Sequence, residues 1–365
     1  MALGSTMTAF ADTAYVNASN LNFRKSAQMT GEVIRLLPRG TKVERAKDLG
    51  EWSEVTVDGV TGFVASRYLV AENGSAGSSA SGNAENNGAS GKGAEADQAQ
   101  AGAVTAQIGG GSEYTSQSWE VSLDMNAQYA ANSKINSGKA IYYVSSGARK
   151  EKTICVNAGH GTKGGSAVKT LCHPDGSAKV TGGTTSAGAT TAVAVSSGMT
   201  FQDGTPESTV TLEMAKILRD KLLKEGYDVL MIRETDDVQL DNIARTVLAN
   251  TNADCHIALH WDSTTTDKGC FFMSVPNNAT YRAMEPVASH WESHNKLGSC
   301  LIEGLRQNGN KIFSSGAMEM DLTQTSYSTI PSVDIELGDK ASSHATATLE
   351  KMADGLLVGI NKFFE

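Results

Sequence analysis

His160, Glu207, His260 and Glu336 are the residues whose types and settings could do chemistry. They stand in Asn157-Ala158-Gly159-His160-Gly161, Pro206-Glu207-Ser208, Ile257-Ala258-Leu259-His260-Trp261-Asp262 and Val333-Asp334-Ile335-Glu336-Leu337-Gly338. Two imidazoles and a carboxylate, from His160, Glu207 and His260, are a standard ligand set for a catalytic zinc ion with its fourth position open to water or substrate. A further carboxylate, Glu336, can then serve as general base and acid. Singly, each residue has a plainer reading. A histidine after a strand is commonly a hydrogen-bonded structural residue, and a glutamate after proline favours a helix N-terminus through the macrodipole. Glu336 resists that treatment, because a carboxylate within a strand of Val, Ile and Leu needs a partner or a task.

The elements that must position these residues follow from the hydrophobic pattern. From Lys152 onward the chain alternates strand and helix. Thr153 to Val156, Tyr227 to Ile232, Cys255 to Leu259, Phe271 to Val275 and Val333 to Leu337 are apolar runs of strand length. Ser208 to Glu225 carries Val210, Leu212, Met214, Ile217, Leu218 and Leu222 at helical spacing and stops at Gly226. Asp241 to Asn250, Met284 to Leu305 and the stretch with Leu349, Met352, Leu356, Ile360 and Phe363 are further helices. This alternation predicts an α/β, three-layer domain with a mostly parallel sheet. Each candidate site residue then falls at a strand end or a helix start, where open α/β sheets bind ligands. One stretch breaks the pattern: Gly164 to Thr205, between His160 and Glu207, is far longer than an ordinary strand-to-helix loop and rich in Gly, Ala, Thr and Ser. Tied at both ends to candidate ligands, it is expected at the mouth of the site as a lid, with Val193-Ala194-Val195 and Met199-Thr200-Phe201 docking as a short hairpin. A tolerated surface insertion is the alternative.

The 365 residues suggest two or more domains. Hydrophobic content of 40% supports a core, and a net charge of -9 argues against nucleic acid as main partner while leaving a polymer of mixed charge open. No apolar run approaches the roughly 18 residues of a membrane helix, so no membrane span is expected. The five cysteines, Cys155, Cys172, Cys255, Cys270 and Cys300, are an odd number without a Cys-x-x-Cys pair, so neither a disulfide framework nor a thiolate zinc site is indicated. Met7-Thr8-Ala9-Phe10-Ala11 has the form of a signal-peptide cleavage end with Asp12 as the first mature residue, although no apolar region precedes it.

Residues 12–71 read as a small all-β barrel of short strands broken by turns at Pro38-Arg39-Gly40, Leu49-Gly50 and Asp58-Gly59. Trp52, Phe63 and Tyr68 read as core side chains. Residues 72–112 are Ala, Gly, Ser and Asn with scattered charge, a composition that cannot bury enough apolar surface to fold and therefore reads as a flexible linker. Residues 113–150 form a connecting segment in which Ala140 to Val144 is an edge strand or a strap.

Leu21-Asn22-Phe23-Arg24, Gly40-Thr41-Lys42-Val43, Trp52, Val55, Gly62-Phe63-Val64 and Tyr68-Leu69 resemble the bacterial SH3-like (SH3b) family, which implies wall binding; Phe63 stands where that family usually has Trp. From about Lys152 to the C-terminus the chain resembles the zinc-dependent N-acetylmuramoyl-L-alanine amidases of type 3. The resemblance is carried by Ala158-Gly159-His160-Gly161, by Glu207 with Val210, Leu212, Ala215 and Leu218, by Tyr227 to Asp236 with Arg233, by Arg245 with Ala249-Asn250, by Ile257 to His260 and by Pro331 to Gly338. Trp261, Asp262 and Asp339 depart from the family's usual residues.

The resemblance implies a catalytic domain over 151–365. It implies Zn2+ held by His160, Glu207 and His260, with Glu336 as catalytic base and acid. The bond implied is the amide between N-acetylmuramic acid and L-alanine, the partner is peptidoglycan, and the location is outside the cell or in its wall. A wall-binding protein without activity, and a zinc peptidase cutting within the stem peptide, are the alternatives. His173, His256, His290, His294 and His344 match no ligand motif, although His344 lies near enough to Glu336 in sequence for a supporting role.

Overall fold

The computed structural model describes residues 12–16, 20–28, 31–38, 40–49, 52–71 and 114–365. The stretch read as a linker, the cleavage signal before Asp12, and Arg39 and Gly50 of the expected turns lie outside the described residues. The chain divides into two compact units, Met1–Gln107 and Ile108–Glu365.

The first unit is all antiparallel. Strands β1 (Asp12–Val16), β2 (Asn20–Arg24), β3 (Val33–Pro38), β4 (Lys42–Asp48), β5 (Trp52–Val57), β6 (Val60–Ala65) and β7 (Leu69–Ala71) form one sheet in the order β3-β2-β6-β5-β4-β1-β7. Asp58 and Gly59 both adopt positive φ, which the two-residue hairpin joining β5 to β6 requires. Phe23, Val43, Val55 and Val64 are fully buried and form the centre of the core. Period-two alternation puts Ser53, Val55 and Val57 inward. Trp52 and Phe63 therefore lie on the outer face and are only half-buried, a correction to their reading as core; Tyr68 packs at the core's edge.

The second unit is built on an eight-stranded sheet in the order β16-β15-β17-β14-β10-β13-β9-β8. Its elements in chain order are β8 (Thr115–Ser122), β9 (Lys139–Ser145), β10 (Thr153–Ala158), β11 (Lys169–Leu171), β12 (Thr191–Val193), α1 (Glu207–Glu225), β13 (Asp228–Met231), α2 (Asn242–Asn252), β14 (Cys255–Asp262), β15 (Cys270–Ser274), α3 (Ala279–Arg282), α4 (Val287–Gln307), β16 (Ile312–Glu319), α5 (Thr323–Tyr327), β17 (Ser332–Asp339) and α6 (Thr346–Phe364). The central strands β17, β14, β10 and β13 run parallel, while β9 and β8 close one edge antiparallel and β15 reverses against β17 at the other. The connecting segment before Glu151 thus supplies two strands of this sheet. On one face Ile154, Val156, Ile257, Leu259, Val333 and Ile335 pack against Leu218 and Leu222 of α1, Leu301 and Leu305 of α4, and Leu356 and Ile360 of α6. On the other, Cys155 and Leu230 meet Ala244 and Leu248 of α2. These are the three layers that the alternation predicts. All five cysteines are free and buried.

The long insertion has structure of its own. Lys169–Leu171 pairs antiparallel with Thr191–Val193, so the hairpin uses a different partner from the expected pairing of 193–195 with 199–201. Ala194, Val195 and Phe201 are buried, and they dock the segment individually. Its other anchor is Asp321, which is fully buried. The carboxylate meets His173 Nε2 at 3.0 Å and Lys179 Nζ at 3.1 Å and accepts from Val180 N at 2.8 Å and Thr181 N at 3.0 Å.

Burial opposes the charge on Asp321, but His173, Thr181, the Val180 amide and Lys179 together hold its carboxyl well below the usual range. Because the folded value is depressed, the stabilisation is fully present above the ordinary carboxyl pKa of about 3.9 and is lost as pH falls below it. Asp321→Ala leaves the buried Lys179 ammonium without its carboxylate partner and is expected to cost about 3–5 kcal/mol. Denaturant unfolding and protease cutting within 174–190 both read this out. Unchanged protease resistance would show that the apolar anchors hold the insertion by themselves.

Candidate metal centre

The sheet brings the four sequence-derived residues to one place. His160 follows β10, Glu207 opens α1, and His260 and Glu336 face each other in register on the parallel strands β14 and β17. His160 Nε2 lies 2.9 Å from Glu207 Oε1. His260 Nδ1 lies 3.1 Å from His160 Nε2 and 3.2 Å from Glu207 Oε1. These three side chains could hold a metal ion between them. Ligand atoms around a tetrahedral zinc lie about 3.3 Å apart, from bond lengths of about 2.0–2.1 Å, so the observed edges of 2.9, 3.1 and 3.2 Å fit such an ion. The packing is shaped to the imidazoles as well: a Cβ on Gly159 would stand 2.3 Å from the His260 ring.

The electrostatics point the same way. Burial works against a charge on His260, but the carboxylates of Asp334, Glu207 and Glu336 override it and draw its pKa up to about 10. Burial likewise opposes the charge on Glu207, yet the His160 and His260 rings hold its carboxyl far below normal. A pocket that favours positive charge this strongly suits a cation.

Two buried arginines shape the loop carrying His160. Arg245 of α2 donates through Nε to Leu240 O at 3.0 Å, through Nη1 to Asn157 Oδ1 at 3.0 Å and Ala158 O at 3.1 Å, and through Nη2 to His160 O at 2.6 Å and Thr162 Oγ1 at 2.9 Å. Arg233 donates to Gly159 O at 3.0 Å and to Ser208 O at 2.8 Å, joining the loop to the start of α1. Between them they hold His160 at φ +62°, a left-handed conformation rarely adopted by a non-glycine residue.

A cavity of about 550 Å³ opens over the three converging side chains. Lys179, Thr184, Ala192 and the run Val195 to Met199 supply one wall, so the insertion lies at the mouth of the site. Asp334 and Glu336 line it from β17. Asp334 is a residue that the sequence reading leaves without a role; its signal is position, two residues before Glu336 and hence on the same face of the strand. Its Oδ2 lies 3.6 Å from His260 Nε2. Burial first, and the neighbouring Asp334 second, push the Glu336 carboxyl well above its ordinary pKa. Glu336 Oε2 and Asp334 Oδ1 are buried without a hydrogen-bond partner among the described residues.

The remaining histidines serve elsewhere. His344 pairs with Asp203 at 3.1 Å and lies against the Phe201 ring at 4.4 Å; it is absent from the cavity lining, which corrects the supporting role at Glu336 suggested by sequence. His256 contacts Asn157, His294 accepts from Ser332 N, and His290 contacts Pro286 O. Trp261 is buried near Phe201, and its backbone N–H donates to Glu207 Oε1 at 3.0 Å. Asp339 does not line the cavity and holds Thr264, Thr266 and Lys268 in the loop after β14.

Comparison with known proteins finds a family match for each unit of the chain. Residues 19–70 match the bacterial SH3 domain family. The chain is 28% identical over 247 residues to YrvJ of Bacillus subtilis (strain 168), a curated protein provisionally assigned as an N-acetylmuramoyl-L-alanine amidase. That match covers 61% of this chain and 41% of the relative, so the chain spans less than half the length of the curated relative it matches. Among solved structures, the apo N-acetylmuramyl-L-alanine amidase Ami1 of Mycobacterium abscessus is 21% identical with a TM-score of 0.46, over 59% of this chain and 99% of that one. Ami1 of Mycobacterium smegmatis is 18% identical with a TM-score of 0.48, over 60% and 98%. Residues 154–362, more than half of the chain, match the N-acetylmuramoyl-L-alanine amidase family model, and the chain belongs to that family.

Proposed function

We propose that this chain is a zinc-dependent peptidoglycan hydrolase that cleaves the amide between the lactyl group of N-acetylmuramic acid and L-alanine. The observation that carries the proposal is the convergence of His160, Glu207 and His260 within a cavity that Glu336 also lines. His160, Glu207 and His260 would hold the zinc, which when bound would lower the pKa of a water and polarise the amide carbonyl. Glu336 takes a proton from the attacking water and returns it to the leaving nitrogen. Burial and the neighbouring Asp334 push its carboxyl upward, which favours its holding the proton it takes until the nitrogen leaves. Arg245 and Arg233 hold the His160 loop in place during turnover.

Residues 12–71 are proposed to hold the enzyme on the wall and so raise its local concentration on the substrate. The site of action is then the cell wall or the space outside the cell. Among the described residues no helix is long and apolar enough to cross a membrane.

Digestion of purified peptidoglycan by the zinc-loaded chain tests the reading. Mass spectrometry is expected to show intact glycan strands and stem peptides with a free L-alanine amine. Cuts within the stem peptide would reassign the enzyme as a peptidase, and absence of cleavage would leave a wall-binding protein. In the same experiment a chain beginning at Ile108 is expected to pellet less with insoluble wall than the full chain. Equal pelleting would remove the wall-holding role from the first unit.

A further inference from the structure

We infer that the turn Ser196-Ser197-Gly198-Met199, near the end of the long insertion, positions two of the metal ligands. The insertion would then be part of the metal centre itself and not only of its approach. This rests on the reading of His160, Glu207 and His260 as ligands.

The carbonyl oxygen of Ser196 lies 2.9 Å from His160 Nδ1. A carbonyl can only accept, so this contact is a hydrogen bond when Nδ1 carries the imidazole hydrogen; the Ser196 hydroxyl, 3.1 Å from the same Nδ1, can accept that hydrogen too. The lone pair on Nε2 is then left facing Glu207 and His260. The same turn grips Glu207: Met199 N donates to Glu207 Oε2 at 2.8 Å, and Glu207 N donates to Met199 O at 3.0 Å. With Oε2 held by Met199, Oε1 is the oxygen turned to the two imidazoles.

Gly198 fits between the two ligands at φ +82°. A Cβ there would stand 2.8 Å from His160 Cδ2 and 2.9 Å from Glu207 Oε2. The turn cannot drift, because Ala194 and Val195 before it and Phe201 after it are buried. Asn242 N, at the start of α2, also donates to Ala194 O at 3.1 Å. Groups that fix the tautomer and direction of a ligand in this way typically account for about 10- to 100-fold in metal affinity.

The test is zinc affinity of the metal-stripped full chain, measured by competition with a chelator. Gly198→Ala is expected to weaken zinc binding about 10- to 100-fold. Gly188→Ala is the control for backbone strain, since Gly188 sits in the same insertion at φ +85° with nothing within 4 Å of a Cβ. It is expected to bind zinc as the wild type does. Wild-type affinity in Gly198→Ala, or an equal loss in both variants, overturns the inference. His260→Ala separates this from the underlying reading: if it retains wild-type zinc affinity, the ligand assignment itself has failed. Should Gly198→Ala not fold by far-UV circular dichroism, nitrogen-15 spectra of the zinc-loaded wild type decide. A hydrogen on His160 Nδ1 is expected, and a hydrogen on Nε2 overturns the inference.

Discussion

Replacing Glu336 by glutamine is expected to lower kcat by about 10²- to 10⁴-fold, the usual cost of losing a general base, while zinc content and fold stay intact. The amide is nearly the same shape as the carboxyl, so the packing around β17 has no reason to change. Its charge is what disappears. Glu336 is 9% exposed, has an oxygen without a hydrogen-bond partner among the described residues, and shares its strand face with Asp334 two residues away. Burial and that neighbour both disfavour its ionised form, so the neutral variant is expected to unfold at the same temperature as the wild type or a higher one. Activity and stability should therefore separate, as they do for groups kept for chemistry at some expense to the fold. Metal analysis, thermal unfolding and turnover on peptidoglycan are measured on one preparation. A zinc-loaded Glu336→Gln enzyme with near-normal turnover would take the proton-transfer role away from this residue.

Of the four candidate residues, His160 and Glu207 were legible in the sequence because they sit where a regular pattern ends, after a strand and at a helix start, whereas His260 and Glu336 lie inside their strands and stand out by residue type in an apolar run. The helices were legible by their period: Leu218, Leu222, Leu356 and Ile360 recur on faces that the structure buries. What escaped the sequence lacked a period or depended on contacts distant along the chain. The strand at Ile312–Glu319 contains Ser314, Ser315 and Gly316, exposes both serines in succession and shifts register against β15, so it shows no clean alternation. In the insertion, small residues hide the anchors, which are a buried ion cluster closed by Asp321 some 140 positions away and a hairpin whose strands have three residues each. The outward turn of Trp52 and Phe63 went unseen because aromatic type says buried, whereas register decides which face a strand residue takes.

Arg245→Met is expected to be the most damaging single change away from the ligands, costing stability and zinc together. The side chain is 1% exposed, and every one of its N–H groups meets an acceptor: Leu240 O, Asn157 Oδ1, Ala158 O, His160 O and Thr162 Oγ1. No carboxylate neutralises it within that set, so its charge is sustained by oriented backbone and side-chain oxygens, and burial pulls its pKa down to about 9. Methionine fills comparable volume and removes the cost of burying the charge, but it takes the guanidinium donors from Asn157 Oδ1, Ala158 O and His160 O at about 1–3 kcal/mol each, while Leu240 O keeps the Thr162 hydroxyl as a donor. The acceptors weigh more in number, and a net loss of about 3–5 kcal/mol is expected, as for breaking a buried polar pair from one side. The effect on the metal is local. His160 occupies the left-handed region at φ +62° while its carbonyl accepts from Arg245 Nη2 at 2.6 Å. Such a conformation costs about 1–3 kcal/mol and persists only where its surroundings enforce it. Without the guanidinium, Arg233 still holds Gly159 O but nothing holds His160 O, and the ring should swing out of line with Glu207 and His260. Arg245→Lys is not expected to rescue, because an ammonium has three donors at one point and cannot span acceptors that the planar fork reaches. Denaturant unfolding of the metal-free chain measures the first loss, and chelator competition the second. If Arg245→Met unfolds within 1 kcal/mol of the wild type and binds zinc as tightly, the conformation of His160 must be set by the Ser196 contact and the sheet alone.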